Sequence, residues 1–499
     1  MDFFFVSCYT VPESKGGGIV RIFFCALAAA VILLIAVLVV RALRLKPRKT
    51  AGHEPYAPVL DEEGAVARFG ETIRLATVWP RYGEVDRAPF DAFLPLLQKL
   101  YPRMFATFDV QIVNEYGLLC RWKGMDGEKP VVLMSHYDVV SADADKWSHP
   151  PFSGEVYDGC VWGRGTVDTK CILAALLEAG EALLAEGFTP RHDVWFSFTN
   201  NEETGGDTTP AIVETLRRNG VEPWFVLDEG GAVVESPALG VRQEFAMVGV
   251  SEKGVVDAIL KVNGVPGHSS TPRASDSTYR LVDVLERIRR SPFPTVLSAV
   301  TRQMLSGIAA YASFGFRLIF ANLWLFSGLV KKIMLKNGET AAMLRTTAAL
   351  TKLQGSREIN SIPNTAEVGM SVRVAPWDST DSALARLRDA AGEHAQVSFD
   401  YRFEPSPFSP TDCDAFRMLC DTIDAVYPGV PAVPYVMNGG TDSKHFAAVW
   451  PNVYRFAGFR FTAEERAGMH GNDERLSVKS YLDGVRFYRK LLENLSKGE

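Results

Sequence analysis

The sequence lacks the cysteine pattern of a disulfide-stabilised protein or a zinc ribbon. Its seven cysteines are scattered over 499 residues, and none of them belongs to a CxxC pair. An odd number of cysteines at irregular spacing indicates neither a disulfide framework nor a cysteine-based metal site. A long basic block is also absent, and the formal net charge is −6. Because nucleic-acid binding favours a basic face, this composition argues against nucleic acid as a partner.

The remaining composition is that of a folded protein with more than one core. Hydrophobic residues make up 47% of the chain and charged residues 22%, without short-period repeats or low-complexity segments. A chain of 499 residues is too long for one ordinary core, so two or three domains are expected.

One segment is more apolar than an ordinary globular helix. Residues 22–40 read IFFCALAAAVILLIAVLVV, nineteen residues without a charge, which is long enough to cross a bilayer core of ~30 Å at ~1.5 Å per residue. A buried core helix and a cleaved signal peptide are the alternatives. The run exceeds the ~7–15 apolar residues of a signal peptide, and the following RALRLKPRKT offers no clear small-x-small cleavage site. We therefore predict a tail at 1–21, an uncleaved single-pass membrane anchor at 22–40 and a linker at 41–60.

The charges that flank this run bear on its orientation. Two basic residues precede it, Lys15 and Arg21, and five follow it: Arg41, Arg44, Lys46, Arg48 and Lys49. By the positive-inside rule, this asymmetry places the large C-terminal part in the cytoplasm.

Helices and strands alternate along the chain beyond the linker. Apolar strands such as VVLMSHYDVV, VWFSFTNNEE and PWFVLDEGG are separated by helices, which is typical of a parallel sheet covered by helices. Between 248 and 405 the strands instead alternate polar and apolar residues, which indicates a smaller α+β unit. We therefore predict an α/β fold, with a mainly parallel-sheet domain at 61–247 and 406–499 and an inserted, ferredoxin-like α+β domain at 248–405.

Histidine and carboxylate side chains interrupt the apolar elements where these end. His136 and Asp138 lie two residues apart in VVLMSHYDVV and so face the same side of the strand. Further polar residues follow apolar elements in the same way: Asp168, Glu202, Glu203, Asp228 and His470. Because sites in open α/β sheets form at the carboxyl ends of the strands, these residues are candidates for one shared site.

The chemistry of this set indicates a metal centre. Carboxylates gathered at one sheet edge repel one another, and their pKa values rise unless cations lie among them. Two histidines with several carboxylates suit Zn²⁺ and suffice for two ions with one bridging carboxylate. Each motif alone has a plainer interpretation: HxD as a chance match, GRGT before a helix as a phosphate loop, and NEE as a solvated turn. GRGT lacks the GxGxxG and Walker patterns, which argues against nucleotide binding.

The order of these motifs resembles that of a known family. HxDVV, GRGTxDxK, NEExGG, LDEGG, GHSS and a late MHGxxE are similar to the zinc metallopeptidase family of carboxypeptidase S, aminoacylase and glutamate carboxypeptidase. GHSSTP, NSIPNTAEVGMSVR and GGTDSKHF resemble the branch that contains carboxypeptidase S and the N-fatty-acyl-amino acid synthase/hydrolase. The resemblance covers roughly residues 60–495. It implies a zinc-hydrolase catalytic domain whose inserted domain is a lid and a candidate homodimer interface.

The resemblance implies two zinc ions per subunit and a ligand set for them. Asp168 would bridge the two ions. The first ion would also bind His136 and Asp228, and the second would bind Glu203 and His470.

The resemblance also implies the residues that act beside the metal. Asp138 would orient the His136 ring, Glu202 would be the general base, and His268 of GHSS would stabilise the oxyanion. Arg373 would bind a free carboxylate of the substrate. Supporting substrate contacts would come from Asn364, Asn438, Gly439, Gly440 and Thr441.

These roles imply hydrolysis of an amide bond beside a free carboxylate, and they leave the small-molecule substrate open. The apolar stretch 295–350 is a domain core, a dimer interface or a wall for a long acyl chain. An enzyme held at a membrane can draw lipid-like substrates from it, which favours N-acyl amino acids, cleaved reversibly, over short peptides cleaved by a carboxypeptidase. A catalytically inactive ligand-binding homologue is a third hypothesis, and the presence of every expected ligand and of Glu202 argues against it.

The resemblance bears on localisation as well. The resembling branch is secreted or faces a lumen, so the catalytic domain is expected on the extracytoplasmic or lumenal side. This is opposite to the side that the flanking charges indicate, although large domains translocate despite such charges.

Overall fold

A computed structural model of the chain describes residues 15–47, 56–235, 241 and 243–496, with side chains from residue 21 onward in the first helix. Most of the predicted tail and the middle of the predicted linker lie outside the described residues. The helices are α1 Lys15–Arg44, α2 Glu62–Arg74, α3 Ala88–Leu100, α4 Pro102–Thr107, α5 Lys170–Ala185, α6 Thr208–Arg218, α7 Ser277–Arg290, α8 Ala299–Ala309, α9 Phe314–Ala321, α10 Leu323–Met334, α11 Gly338–Ala342, α12 Thr380–Ala391, α13 Asp414–Val426, α14 Ser443–Ala447, α15 Ala463–Gly468 and α16 Val478–Leu495.

The strands form one large sheet, one four-stranded sheet and two small ribbons. They are β1 Asp109–Val113, β2 Gly117–Trp122, β3 Asp126–His136, β4 Val156–Tyr157, β5 Cys160–Trp162, β6 His192–Thr199, β7 Phe225–Asp228, β8 Val233–Glu235, β9 Glu244–Glu252, β10 Gly254–Asn263, β11 Gly267–His268, β12 Thr347–Gln354, β13 Ser361–Ile362, β14 Thr365–Val374, β15 Gln396–Phe403, β16 Ala432–Met437, β17 Val453–Arg455 and β18 Arg475–Ser477.

The large sheet is mixed, whereas the sequence predicted a mainly parallel one. Its order is β1-β2-β6-β3-β7-β17-β9-β16, with β8 paired to β9. The centre from β6 to β17 is parallel, but β1, β2 and β6 pair antiparallel, and so do β17 and β9. The difference at the β1 edge has a local reason: three residues join β1 to β2, and such a short turn permits only antiparallel pairing.

The central strands are covered by helices on both faces. Every residue of β6 is buried, and β3 is buried from Val131 to His136. Leu133 and Phe196 pack with α5 and α16 in the main core, while Val132 and Trp195 pack with α6 and α14 in a second cluster. Two apolar faces account for the unbroken apolar runs in these strands.

A separate antiparallel sheet has the order β12-β14-β10-β15. Burial alternates along β10 and β14, and the buried positions pack with α7 and α12. Along the chain the unit reads β10-α7-β12-β14-α12-β15, the βαββαβ succession of ferredoxin-like units. The even-numbered positions thus form a core of their own, and the odd-numbered ones are left to face outward.

The apolar helices α8–α11 do not belong to this core, although the sequence placed them in the inserted domain. They pack instead against β9 and the edge strand β16 of the large sheet, in a cluster that includes Phe245, Ile308 and Val433. The strand β9 itself runs across the predicted boundary at residue 248 and is part of the large sheet.

The first helix stands mostly outside the folded body. Within the described residues, Arg21–Arg44 is the only unbroken helix that is long and apolar enough to cross a membrane. Only 6% of its most apolar stretch of 18 residues is buried. Its last turns contact α9. Length and composition suit either a membrane span or an N-terminal signal sequence.

Candidate metal and active site

The predicted site residues converge because their strands are neighbours. His136 is the last residue of β3, Asp228 is the last residue of β7, and Glu202 follows β6 by three positions. Since β6, β3 and β7 lie side by side and parallel, their carboxyl ends meet at one edge of the sheet. The peptide bond between Asp168 and Thr169, before α5, is cis.

Asp168 lies between the two histidines. Its Oδ1 is 3.0 Å from His136 Nε2, and its Oδ2 is 3.2 Å from His470 Nε2. His470 Nε2 is also 3.0 Å from Glu203 Oε2. One candidate ligand atom each of His136, Asp168 and Glu203 lie within 4.8 Å of one another. Asp168 thus lies between the predicted ligands of both ions, and its bridging role stays a prediction.

Asp138 is fully buried and contacts three neighbours. Its carboxylate oxygens accept the backbone N–H groups of Glu202 and Glu203 at 3.2 and 3.1 Å. His136 Nδ1 lies 2.9 Å from the Asp138 carbonyl oxygen and 3.4 Å from Oδ1. Asp138 contacts the His136 ring, and its predicted role of orienting that ring stays a prediction. It also holds the turn that carries both glutamates, which sequence reasoning missed.

Asp228 leaves one oxygen without a protein donor. Its Oδ2 accepts the Ser443 N–H at 2.8 Å, while the buried Oδ1 has no hydrogen-bond partner among the described residues. A buried carboxylate oxygen without a partner is costly unless a cation binds it. The residues present therefore fit a divalent cation at this place.

The pKa shifts show how much negative charge the site gathers. Burial raises the pKa of Glu203, and the neighbouring Asp168 adds to this. Burial also pushes up the pKa of Asp168, but hydrogen bonds from His136 and His470 outweigh it and hold that pKa below the usual value. The hydrogen bonds to Asp168 and Glu203 raise the pKa of His470 to about 10. The site thus favours positive charge at the atoms where a cation would bind.

Glu202 lies beside the cluster in a buried position. Burial raises its pKa well above the usual value, although the charges of His136 and Lys444 act in the opposite direction. The pKa of Lys444 is raised: burial lowers it, and the charges of Glu202 and Asp442 outweigh that effect. Lys444 is a residue that sequence reasoning missed, although it stands in the quoted motif GGTDSKHF.

Glu474 holds the loop that carries Asp168. Its Oε1 accepts the backbone N–H groups of Gly165, Val167 and Asp168 at 3.1, 2.8 and 3.1 Å. Its Oε2 lies 2.5 Å from Arg164 Nη1, and both side chains are buried. The MHGxxE motif contains Glu474, but local sequence carries no signal that its partner is some 300 residues away.

A cleft of about 640 Å³ lies between the site and the outward face of the small sheet. The outward positions of β10 and β14 that line it include Val255, Asp257, Ser371 and Arg373. Opposite them are Glu202, Glu203, Gly439, Gly440, Lys444 and His470. The predicted carboxylate-binding residue Arg373 thus shares one cleft with the predicted general base.

Four of the residues predicted to contact the substrate do not line this cleft, and one of them, Asn438, lines a neighbouring cavity instead. His268 is exposed on β11, with its Nδ1 2.8 Å from Ser270 Oγ. Asn364 is exposed, and its carbonyl accepts the Gly264 N–H. Thr441 is buried, and its N–H donates to Glu252 Oε2 at 2.6 Å. Their assigned roles remain predictions.

A second, apolar cavity of about 690 Å³ lies next to the cleft. Gly439 lines both spaces. Asn438 and Met469 line the apolar cavity, and His470 lines the cleft. Its walls come mainly from α8–α11 and the β9–β16 edge, and they include Met247, Met304, Leu305, Ile308, Ile333 and Met343. The apolar stretch of the sequence thus encloses a cavity that adjoins the site.

The sequence is similar to those of one peptidase family and its members. A model of the family described as "Peptidase family M20/M25/M40" matches residues 132–494. The chain is 34% identical over 481 residues to the N-fatty-acyl-amino acid synthase/hydrolase PM20D1 of Xenopus tropicalis, covering 94% of each protein. It is also 34% identical over 430 residues to the probable carboxypeptidase S-like 2 of Dictyostelium discoideum, covering 83% of this chain and 82% of the relative.

Solved structures share the fold at lower identity. An M20 family metallo-carboxypeptidase from Sulfolobus solfataricus superposes with a TM-score of 0.64 at 15% identity, covering 87% of this chain and 99% of the other. The YXEP protein of Bacillus subtilis, a dinuclear metal binding peptidase from the M20 family, superposes with a TM-score of 0.50 at 15% identity, covering 86% and 98%.

Proposed function

The chain belongs to peptidase family M20/M25/M40 and is an enzyme of the amidohydrolase and peptidase type, and from that premise we propose that it cleaves N-acyl amino acids with long acyl chains. The relative that shares 94% of its length with this chain is an N-fatty-acyl-amino acid synthase/hydrolase, which supports this substrate class and a reversible reaction.

One observation carries the proposal: the polar cleft and the apolar cavity adjoin at Gly439. An N-acyl amino acid has a charged end, an amide and an apolar chain in that order. Arg373 in the cleft suits the carboxylate, and the cavity beyond Gly439 suits the chain. The amide then lies beside Glu202 and the cluster around Asp168.

The donor set supports two divalent cations, and its nitrogen and oxygen ligands suit Zn²⁺. One would be held by His136, Asp168 and Asp228, and the other by Asp168, Glu203 and His470. Such ions act as Lewis acids, which lower the pKa of a water and polarise a carbonyl. The relative from Bacillus subtilis is a dinuclear metal binding peptidase, which is consistent with this number.

The chain's own residues supply the proton transfer and the orientation. Glu202 accepts a proton from the attacking water and donates it to the leaving amine nitrogen. Asp138 holds Glu202 and Glu203 in position by accepting hydrogen bonds from their backbone N–H groups. Arg373 fixes the substrate carboxylate, and the small sheet that carries it serves as a lid over the cleft. His268 is a predicted oxyanion donor that this arrangement leaves outside the cleft.

The first helix is proposed to anchor the enzyme as a single membrane span. Its last turns pack on the folded body, which favours retention over cleavage as a signal sequence. We place the catalytic domain on the extracytoplasmic or lumenal side, opposite to the side that the flanking charges indicate.

A carboxypeptidase acting on short peptides is the second candidate, supported by the carboxypeptidase S-like relative. The test is a panel of N-acyl-phenylalanines, from acetyl to oleoyl, beside dipeptides of the same C-terminal residue. Each methylene buried contributes ~0.8 kcal/mol, so kcat/KM should rise at least about tenfold from acetyl to oleoyl. A preference for the dipeptides would contradict the acyl-amino-acid proposal and favour the carboxypeptidase.

A further inference from the structure

Two apolar helices meet at a sharp bend beside the anchor. Helices α9 and α10 are together long and apolar enough to cross a membrane, but they are bent by 113° at Asn322. We call them the α9–α10 hairpin. Its outer surface exposes large apolar side chains to about half of their area: Phe314 49%, Trp324 54%, Leu325 45% and Leu329 45%. A soluble surface seldom carries such a patch without something that covers it.

The hairpin is bonded to the first helix inside the apolar run. The fully buried Asn322 donates from Nδ2 to the Leu38 carbonyl at 3.0 Å and to the Leu318 carbonyl at 2.8 Å. Arg41 Nε donates to the Ala321 carbonyl at 3.2 Å, and Ala42 is fully buried. These contacts join the end of α1 rigidly to the bend of the hairpin.

The position of these bonds sets the depth of the hairpin. Leu38 lies two residues before the end of the apolar run at Val40, which is about 3 Å along a helix. If α1 spans a bilayer, Leu38 lies just inside the hydrocarbon boundary. Whatever is bonded to Leu38 must lie at that depth too, so the bend of the hairpin is at the membrane surface.

Opposite faces of the hairpin have different surroundings. Leu325 and Leu329 face outward, whereas Phe316, Phe320, Val330 and Ile333 line the apolar cavity that adjoins the site. Exposed basic residues flank the outer face: Lys332 and Lys336, together with Arg41 and Arg44 at the end of α1. An apolar face rimmed by basic residues is typical of a helix that lies in the interface plane of a membrane.

We propose that the α9–α10 hairpin inserts into the lipid bilayer beside the end of α1, and that the acyl chain of the substrate passes from the bilayer through the hairpin into the apolar cavity. The bilayer is the occupant of the exposed face, because α1 already brings that face to the membrane. Insertion rests on the contacts with α1 and on the proposed membrane span of that helix; only the passage of an acyl chain rests on the proposed substrate.

Trp324 provides a test of insertion that does not depend on activity. Of the nine tryptophans, Trp324 alone is exposed, and α1 contains no tryptophan. The full chain is placed in nanodiscs of phosphatidylcholine and phosphatidylglycerol, with and without bromine on the acyl chains. Brominated chains should quench the wild-type protein more than Trp324→Phe. Equal quenching of the two proteins would overturn insertion, and a doubled protein mass per disc with equal quenching would assign the face to a second copy instead.

The passage of the acyl chain is tested by the route of delivery. Leu325→Lys/Leu329→Lys should lower hydrolysis of N-oleoyl-phenylalanine supplied in the bilayer by about tenfold or more, because lysine is unfavourable in hydrocarbon. Hydrolysis of N-acetyl-phenylalanine from solution should stay within about twofold, since surface substitutions away from a site have small effects. N-oleoyl-phenylalanine supplied to the protein in detergent, without a bilayer, should be hydrolysed at the wild-type rate.

The matched control is Met125→Lys, which also replaces an exposed apolar residue with lysine. Met125 directly precedes β3, at the end of that strand away from His136. This variant should leave all three rates unchanged. Equal loss of oleoyl hydrolysis by both routes would mean damage to the cavity and overturn entry from the bilayer. If the wild-type protein hydrolyses no acyl amino acid while Trp324 is quenched, the proposed function fails and insertion stands.

Discussion

Asp138 shows how one carboxylate organises the chemistry of this site at the scale of the residue. It touches the His136 ring on one side and the N–H groups of Glu202 and Glu203 on the other. Two proposed ligands and the proposed base are thus tied to one buried group. Adjacent glutamates can take different roles because the backbone that carries them is held by this anchor.

Glu202→Gln removes the proposed base and keeps the shape of the side chain. We expect kcat to fall by about 10²- to 10⁴-fold, the usual contribution of a general base. Metal content, measured by elemental analysis, should be unchanged because Glu202 is not a proposed ligand. Glu222→Gln, at an exposed glutamate, is the matched control and should be fully active. Activity near wild type in Glu202→Gln would remove Glu202 from the mechanism.

The same residue predicts an acid limb in the pH profile. The base acts as a carboxylate, and burial raises its pKa well above the usual range of a glutamate. Activity should therefore be complete at high pH and lost as pH falls through that raised pKa. The measurement is kcat/KM against pH, and a limb at or below the pKa of an ordinary glutamate would contradict the prediction.

Glu474 positions the loop of Asp168, so its loss should lower both the stability of the fold and the affinity for metal. Glu474→Gln leaves Arg164 buried without its counter-charge, and breaking a buried pair costs about 3–5 kcal/mol. Weaker support of Asp168 should also lower metal affinity by about 10- to 100-fold. Urea unfolding and metal titration measure the two effects. Glu464→Gln, at an exposed glutamate of the preceding helix, should change neither.

At the scale of the element, buried and partly exposed residues alternate along β14, so the strand has one face toward the core and one toward the cleft. Arg373 is on the cleft face, between Ser371 and the end of the strand. Arg373→Lys keeps the charge but loses the two-pronged geometry that suits a carboxylate. KM for acyl amino acids should rise about tenfold, as expected for the loss of ~1.4 kcal/mol.

Esters of the same substrates separate this effect from general damage. Because an ester has no free carboxylate, its KM should be the same in wild type and Arg373→Lys. Arg402→Lys on strand β15 of the same sheet serves as the control, because its partner Asp381 is exposed. A rise of KM for acids and esters alike would contradict the assignment.

Helix α8 should set the length of acyl chain that the cavity accepts. Leu305 is buried on α8 and lines the cavity. Leu305→Trp should fill part of the space and shift the preferred chain to a shorter one, at a stability cost of about 1–3 kcal/mol for overpacking. Leu305→Met, which conserves volume, should keep the wild-type preference. The chain-length profile of kcat/KM is the measurement, and an unchanged profile in Leu305→Trp would place the chain elsewhere.

At the scale of the whole molecule, the cluster of carboxylates is expected to link stability to metal. A ligand that binds only the folded state stabilises it by about 2.7 kcal/mol at a hundredfold excess over its Kd. The thermal midpoint should therefore fall on chelation and recover when Zn²⁺ is restored. Glu203→Gln should shrink that difference, because one ligand is weakened. A midpoint that chelation leaves unchanged would count against a metal held by this site.

The sequence by itself determined where the candidate site residues meet. Apolar runs define β3, β6 and β7, and parallel neighbours bring His136, Glu202 and Asp228 to one edge whatever the surrounding detail. The apolar length of α1 is likewise a local property. For these features, the information lies in short stretches of chain, because hydrophobic periodicity and strand ends are local.

Tertiary structure alone decided the features that depend on distant partners. Nothing near Glu474 predicts that it clamps the loop of Asp168, and nothing near Asn322 predicts a bond to Leu38. The same holds for α8–α11, which pack on the large sheet and enclose a cavity instead of joining the small domain. An apolar helix face must be buried, but its sequence does not say against what; that choice is made by the contacts available when the whole chain folds.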